Sequence, residues 1–499
     1  MGTVAIISRR LSEVFSIVGL ITSFFSLFLF FPALIGYLYS EPIWTSFTVL
    51  GILFFAFGII IFILFKKTKP YPRSSAELQA KDGLTLVLMV WILLSTISST
   101  PFLLFNENMS FVRALFEAVS GLTTTGATIF SGLELMPKAI LIWRAILQWL
   151  GGMGILVLTI AILPMFGVGG MQIFRAEASG PMKDKKFTPR IAETAKALWT
   201  IYVFLTLFCC FGYWLAGMDL FDALAHAFTT VSIGGLSTYD GSIGFFNSFK
   251  IEAVAVFFML LAALNFTLHF AALRSFSLKA YLQSIEAKYF FSIIFISITF
   301  IFFVLFINFS EESSLFTIAR MAIFNVVSIA TTTGYATTDY NLWPTITFSL
   351  MLLLSCFTTC SGSTGGGVKL IRAIIMLKQA RREILRTVHP HAIIPIKIGN
   401  QTVANRVILA VLAFMFFYLV TLVTAFLLLT STGLSPGASI SAALACLNNL
   451  GPALFELGPS ANYGILSDLQ LSILSVVMLI GRLELLTIFV FFSVSFWKS

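Results

Sequence analysis

Four short polar stretches, each set between apolar segments, limit what this chain can fold into. They are Thr123-Thr124-Thr125-Gly126-Ala127-Thr128, Ile233-Gly234-Gly235-Leu236-Ser237, Thr331-Thr332-Thr333-Gly334-Tyr335 and Asn449-Leu450-Gly451-Pro452-Ala453. Such runs are poor continuations of an apolar helix and predict extended backbone whose carbonyls point at something. The glycines Gly126, Gly235, Gly334 and Gly451 are 109, 99 and 117 residues apart. That near-regular spacing predicts one unit used four times. Before each stretch lies an apolar segment too short to cross a bilayer, at about 110–121, 219–231, 314–329 and 437–448. Longer apolar segments precede these at 84–105, 195–216, 289–308 and 405–430, and others return at 137–164, about 248–272, from about 343, and at 468–497. The unit reads as helix, half-helix, polar loop, helix. Irregular backbone at membrane depth survives only where protein buries it or it lines a water-filled cavity, so a half-helix feeding such a loop marks a pore.

The 58% hydrophobic and 11% charged residues contrast with about a quarter charged in a soluble domain. Most of the chain therefore belongs in a membrane, and 499 residues hold roughly ten spans of about 20 residues each. Two of these, at about 13–38 and 46–65, precede the first unit and turn at Glu41-Pro42. The expected fold is an all-α polytopic membrane protein. A helix hairpin and basic linker (1–83) precede four pseudo-symmetric pore units with their linkers (84–193, 194–287, 288–404 and 405–499), giving ten spans and four re-entrant half-helices.

The net charge of +9 does not point to nucleic acid, because the basic residues cluster in short linkers. All but six of the 31 Lys and Arg residues lie in the linkers between units or at the termini. The exceptions are Arg113, Lys138, Arg144, Lys250, Arg320 and Arg482. Acids such as Glu41, Asp219, Asp240, Glu311, Asp339 and Asp468 gather on the opposite side. This asymmetry predicts cytoplasmic termini. Arg9-Arg10 ahead of an apolar run looks like a signal sequence, but no small-x-small cleavage site follows and a second apolar run does, so it reads as a retained first span. The five cysteines make no disulfide framework, and Cys356 and Cys360, one helical turn apart, read as packing.

A monovalent cation sheds water only where fixed oxygens replace it, and glycine permits the backbone path that presents carbonyls. The candidate filter residues are Thr124, Thr125 and Gly126; Ile233, Gly234 and Gly235; Thr332, Thr333 and Gly334; and Asn449, Leu450 and Gly451. Whether Gly234 or Gly235 is in register with the other glycines stays open. A second feature, Gly362-Ser363-Thr364-Gly365-Gly366-Gly367, interrupts the returning helix of the third unit, since each glycine there costs about 1 kcal/mol. It reads as an unwound segment or a static kink. It is not a phosphate loop, because Lys369 is followed by Leu370. Arg482 lies deep in the last apolar segment, where a charge is costly and faces a cavity or a partner. Glu484 is two residues away and off its helix face. Asp240 and Asp339, just past their loops, either concentrate cations or are solvated. The half-helix C-termini would direct their negative dipole ends at a cation. His226 and His269 read as packing, and His389 and His391 as solvated. The chain has no H-E-x-x-H and no G-x-S-x-G, which argues against an enzyme.

These stretches resemble the superfamily of Trk, Ktr and HKT potassium transporters over essentially the whole chain. The resemblance rests on T-T-T-G-A-T at 123–128, I-G-G-L-S-T at 233–238, A-T-T-T-G-Y-A-T at 330–337, L-N-N-L-G-P at 447–452, C-S-G-S-T-G-G-G-V-K at 360–369 and G-R-L-E at 481–484. The extra N-terminal hairpin is typical of the Trk branch. The resemblance implies K+ uptake across the bacterial inner membrane, with K+ held at the filter residues named above. It implies a gating loop over Gly362–Gly367, a pore constriction at Arg482, and a homodimer with one pore per protomer. It also implies a cytosolic nucleotide-binding regulatory ring of the TrkA type, through which a nucleotide acts, with the basic stretches at 166–193 and 378–404 as contacts. No covalent cofactor is implied. Glycine in all four loops goes with K+ preference; in some plant members serine in the first loop goes with Na+. The alternatives are a symporter coupled to H+ or Na+, for which Glu484 is the clearest intramembrane acid, or a less selective K+/Na+ pathway.

Overall fold

The computed structural model describes residues 2–66, 80–161, 187–399, 401–483, 485–491 and 493. Helices make up nearly all of it. The one strand pairing among the described residues joins Lys397–Ile398 to Gln401–Thr402. Among the described residues six helices are long and apolar enough to cross a membrane: Leu11–Leu38, Trp44–Phe65, Asp82–Phe105, Ala195–Leu215, Ile285–Phe309 and Asn405–Ser431. The first two form the hairpin. They cross where Gly19 and Gly58 meet, and a Cβ on either would fall under 3.0 Å from the other's carbonyl oxygen. Small residues are what let helices approach this closely in lipid.

The other four open the four units, and a half-helix follows each. The half-helices are Phe111–Leu122, Leu220–Val231, Leu315–Ala330 and Pro436–Leu447, of 12, 12, 16 and 12 residues. At 1.5 Å per residue they reach about 18–24 Å, short of a bilayer core of about 30 Å. Each starts at a side-chain cap, which satisfies an orphan N–H. Ser110 accepts from Arg113 N, Asp219 from Phe221 N, Ser314 from Thr317 N and Ser435 from Ala438 N.

The returning helices differ from one another. The first, Lys138–Ala161, is unbroken as far as it is described. The second departs from the single helix expected over 248–272. It breaks into Phe249–Ala263 and Phe266–Ser275, bent by 97°. The first piece ends at Ala263 with Leu264 extended, and Asn265 starts the second, its side chain accepting from Thr267 N as a cap. The third is broken where expected, between Thr345–Phe357 and Leu370–Val388. The fourth stops at Arg482 and resumes as Leu485–Phe491. The linker expected at 166–193 lies outside the described residues except for 187–193, and so does 67–79. The stretch 378–404 is the end of the Leu370–Val388 helix followed by the short hairpin.

Burial is deepest around the half-helices, where Phe116, Ala227, Val327 and Ala442 are wholly enclosed. Leu64, Phe295 and Ile307 stand exposed on the outer helices. A polar layer is thus wrapped in protein, and an apolar surface faces outward.

Candidate functional site: a ring of four loops

The four half-helices end alike. The N–H groups of Thr124, Ile233, Thr332 and Asn449 reach carbonyls three residues back, at 3.0, 3.0, 3.0 and 3.2 Å. Those of Thr125, Gly234, Thr333 and Leu450 reach five residues back, at 2.9, 2.8, 2.8 and 2.8 Å. These are Schellman ends, whose left-handed residue is usually glycine. Here it is Thr124 (φ 54°), Ile233 (57°), Thr332 (63°) and Asn449 (52°). Three of the four are β-branched, so each stores strain of about 1–3 kcal/mol, which surrounding structure must hold. Two residues on, Gly126, Gly235, Gly334 and Gly451 return to positive φ, at 83°, 76°, 87° and 97°. Gly235, not Gly234, occupies the step shared with the other three glycines.

The four loops close on one another. A Cβ at Gly126 would fall under 3.0 Å from Gly234 O, one at Gly235 from Thr333 O, one at Gly334 from Leu450 O and one at Gly451 from Thr125 O. The order runs first, second, third, fourth and back to first. Residues more than 300 positions apart in sequence are also joined directly: Asn449 Nδ2 donates to Thr125 Oγ1 at 3.0 Å. All twelve candidate filter residues therefore lie in one ring.

Side chains on the half-helices brace the outer ends of the loops. Nine residues before the ring glycine stand Glu117, His226 and Asn325. Glu117 accepts from Thr128 Oγ1 (3.0 Å), Ile129 N (3.1 Å) and Arg144 Nε (2.8 Å). Arg144 also donates to Thr128 Oγ1 at 2.9 Å and to Ser237 O of the second loop at 3.3 Å. His226 Nε2 meets Ser237 Oγ at 2.9 Å, so this histidine is packed and satisfied while it holds a loop. Asn325 Nδ2 donates to Thr337 Oγ1 at 2.9 Å. Sequence reasoning left Glu117 and Arg144 out of the site. The available signal was two opposite charges inside apolar segments. The outer acids are occupied by backbone. Asp240 accepts from Gly132 N (2.6 Å) and Leu133 N (3.2 Å), and Asp339 from Asn341 N (3.0 Å).

On the other side of the ring lies the glycine-rich segment. Gly366 N donates to Thr332 Oγ1 at 2.9 Å, and Thr364 Oγ1 to Val231 O at 3.2 Å. A Cβ at Gly366 would collide with Asn448 O, and one at Gly365 would lie 3.1 Å from Thr331 O. The segment thus covers the C-terminal ends of three half-helices. Gly362 and Gly367 have φ of 73° and 75°, and Ser363 Oγ bonds back to Cys360 O at 2.6 Å. Two backbone bonds tie the segment to the bend at Asn265: Cys360 N to Ala263 O and Phe266 N to Gly362 O, both 3.1 Å. Arg482 is 3% exposed. It donates to Thr364 O at 2.9 Å and to Gly151 O at 3.3 Å, joining the first and last returning helices to this segment. Glu484 lies outside the described residues. Among the described residues no group of three His, Cys, Asp or Glu side chains could hold a metal.

The TrkH family profile, described as a cation transport protein, matches residues 52–498. The chain is 43% identical over 492 residues to the Trk system potassium uptake protein TrkH of Vibrio parahaemolyticus, covering 98% of this chain and 99% of that protein. It is 41% identical over 485 residues to the protein of the same name from Escherichia coli K12, covering 97% and 98%. The crystal structure of the potassium transporter TrkH from Vibrio parahaemolyticus superimposes with a TM-score of 0.88 at 40% identity, covering 98% of this chain and 99% of that one. With a matching profile, near full-length relatives and a shared fold, the chain belongs to the TrkH family of cation transport proteins and is a polytopic membrane transporter, not an enzyme.

Proposed function

We propose that the chain takes up K+ across the bacterial inner membrane, and that the four-loop ring is its selectivity filter. The observation that carries this is the closed ring, in which four strained helix ends present their loop carbonyls to one another in cyclic order. K+ exchanges its hydration shell for such oxygens, and four half-helix C-termini add negative dipole ends nearby. The relatives named as potassium uptake proteins support K+ as the ion. The chain then has ten spans, four re-entrant half-helices and cytoplasmic termini. It works as a homodimer with one pore per protomer, and a cytosolic nucleotide-binding ring of the TrkA type regulates it. Gly362–Gly367 is the gate, and the Arg482 guanidinium beneath the ring clamps Thr364 O and repels K+ from the closed path.

Expression in a bacterium lacking its K+ uptake systems tests the reading. The chain restores growth at low K+; failure to do so, with the protein present in the membrane, would remove K+ uptake from the account. The gate is tested by Arg482→Ala, which deletes charged hydrogen bonds worth about 1.5–3 kcal/mol from the closed state. Basal Rb+ flux into vesicles without the regulatory ring rises on the order of tenfold. Flux no higher than wild type assigns Arg482 to holding the fold.

A further inference from the structure

We infer that Gln148 is a specificity-determining positioning residue of the ring: its amide fixes the Gly234 carbonyl, and through it the discrimination among alkali cations. The inference rests on the filter reading above and adds a residue outside the four loops. Gln148 sits on the first returning helix, wholly buried, and reaches across to the second loop. Its Nε2 donates to Gly234 O at 2.6 Å, and its Oε1 accepts from Leu236 N at 3.2 Å. One side-chain amide therefore spans Gly235 and binds the backbone on both sides of it.

This contact explains why the second loop departs from the threonine pattern. Gly234 holds the place of Thr125, Thr333 and Leu450, yet its φ is not positive, so backbone freedom does not require glycine there. Space does: a Cβ at Gly234 would fall under 3.0 Å from Gln148 Cδ, Oε1 and Nε2 alike. The glutamine fills the volume where a side chain would stand. The other loops hold this position by different means. Thr125 and Thr333 lock their hydroxyls to Thr123 and Thr331, at 2.7 and 2.8 Å. The second loop has no hydroxyl to lock, and the amide replaces it.

The contact also makes the ring chemically unequal. Gly234 O is the oxygen that faces Gly126 in the cycle. Among the described residues no donor reaches the matching carbonyls of Thr125, Thr333 and Leu450, whereas Gly234 O receives an N–H. A carbonyl has two lone pairs. With one taken by Gln148, the other is held in a fixed direction, and the field it offers a cation is weaker than that of its three counterparts. The size preference of the ring then depends on this amide.

The test compares Gln148→Leu, which keeps the volume and loses both bonds, with Gln148→Glu, which keeps the acceptor but sets a carboxylate against Gly234 O. Na+ and K+ competition against Rb+ uptake is measured in vesicles, with the maximal Rb+ rate recorded separately. Both variants change the K+/Na+ ratio about fivefold or more, the scale of one lost hydrogen bond; a purely structural role would lower the rate and leave the ratio. Gly234→Ala alone is inactive, and Gln148→Ala restores transport to it by vacating the space. Ratios within twofold of wild type in both Gln148 variants, or no restoration in the double variant, overturn the inference. Gly126→Ser and Gly334→Ser, measured in parallel, separate the two levels: if both also leave the ratio unchanged, the filter reading has failed rather than the role of Gln148.

Discussion

Serine at Gly334 lowers the preference for K+ over Na+ by about tenfold or more, and serine at Gly126 does the same. Two physical terms combine at each site. The backbone stands at φ 87° and 83°, where a residue with a Cβ is strained by about 1–2 kcal/mol. The new Cβ also points at the carbonyl oxygen of the next loop, Leu450 O or Gly234 O, closer than any real contact, and at Gly334 it meets Pro452 Cδ at 2.8 Å as well. The next loop must retreat. If the ring is the filter, that carbonyl leaves the position at which it would bind K+, and a serine hydroxyl enters the ring as a movable oxygen that also suits Na+. A change of about 1.4 kcal/mol in relative binding is a factor of ten, so a displaced carbonyl that shifts the balance between the two ions by that much suffices. Na+ competition against Rb+ uptake gives the ratio. An unchanged ratio in both variants, with protein present at wild-type level, would sink the assignment of the ring as a filter.

The features that set local backbone could be read from the sequence, and those that depend on a distant partner could not. The four half-helices lie within about two residues of their expected ends, because Ser110, Asp219, Ser314 and Ser435 cap them and Thr-Gly, Ile-Gly-Gly or Asn-Leu-Gly stretches stop them. Four glycines in seven residues announced the break at 362–367. The 97° bend in the second returning helix had no such marker. A single Asn265 in an apolar run looks like a tolerated polar residue until the segment it caps and the Gly362 carbonyl beside it are placed. Gln148 and the Glu117–Arg144 pair were hidden for the same reason, since their partners lie in other elements 27 to 88 residues away. Arg482 stood out as an expensive charge, yet only the fold shows that it holds Thr364 O and Gly151 O. The register of the second loop required backbone angles, because two adjacent glycines are equivalent in sequence.

Removal of Arg144 alone, or of Glu117 alone, depletes folded protein more severely than replacement of both. The pair is enclosed, at 2% and 0% side-chain exposure, with Nε to Oε1 at 2.8 Å. Truncating one partner leaves an uncompensated charge inside the protein, at a cost of about 3–5 kcal/mol, a large share of the 5–15 kcal/mol that typically holds a domain. The ring shares the damage. Without Arg144, Ser237 O in the second loop loses a donor; without Glu117, Thr128 Oγ1 and Ile129 N in the first loop lose their acceptor. Arg144→Met combined with Glu117→Gln removes both charges at similar volume, and the introduced amide keeps an acceptor for Ile129 N. The yield of monodisperse protein after detergent extraction is the measurement. Each of Arg144→Met and Glu117→Gln alone recovers less than the double variant, and the double-mutant cycle gives a coupling of about 1 kcal/mol or more. Additive losses would mean that the two side chains act independently. In that case the brace belongs to the separate hydrogen bonds on Thr128 and Ser237, not to the ion pair.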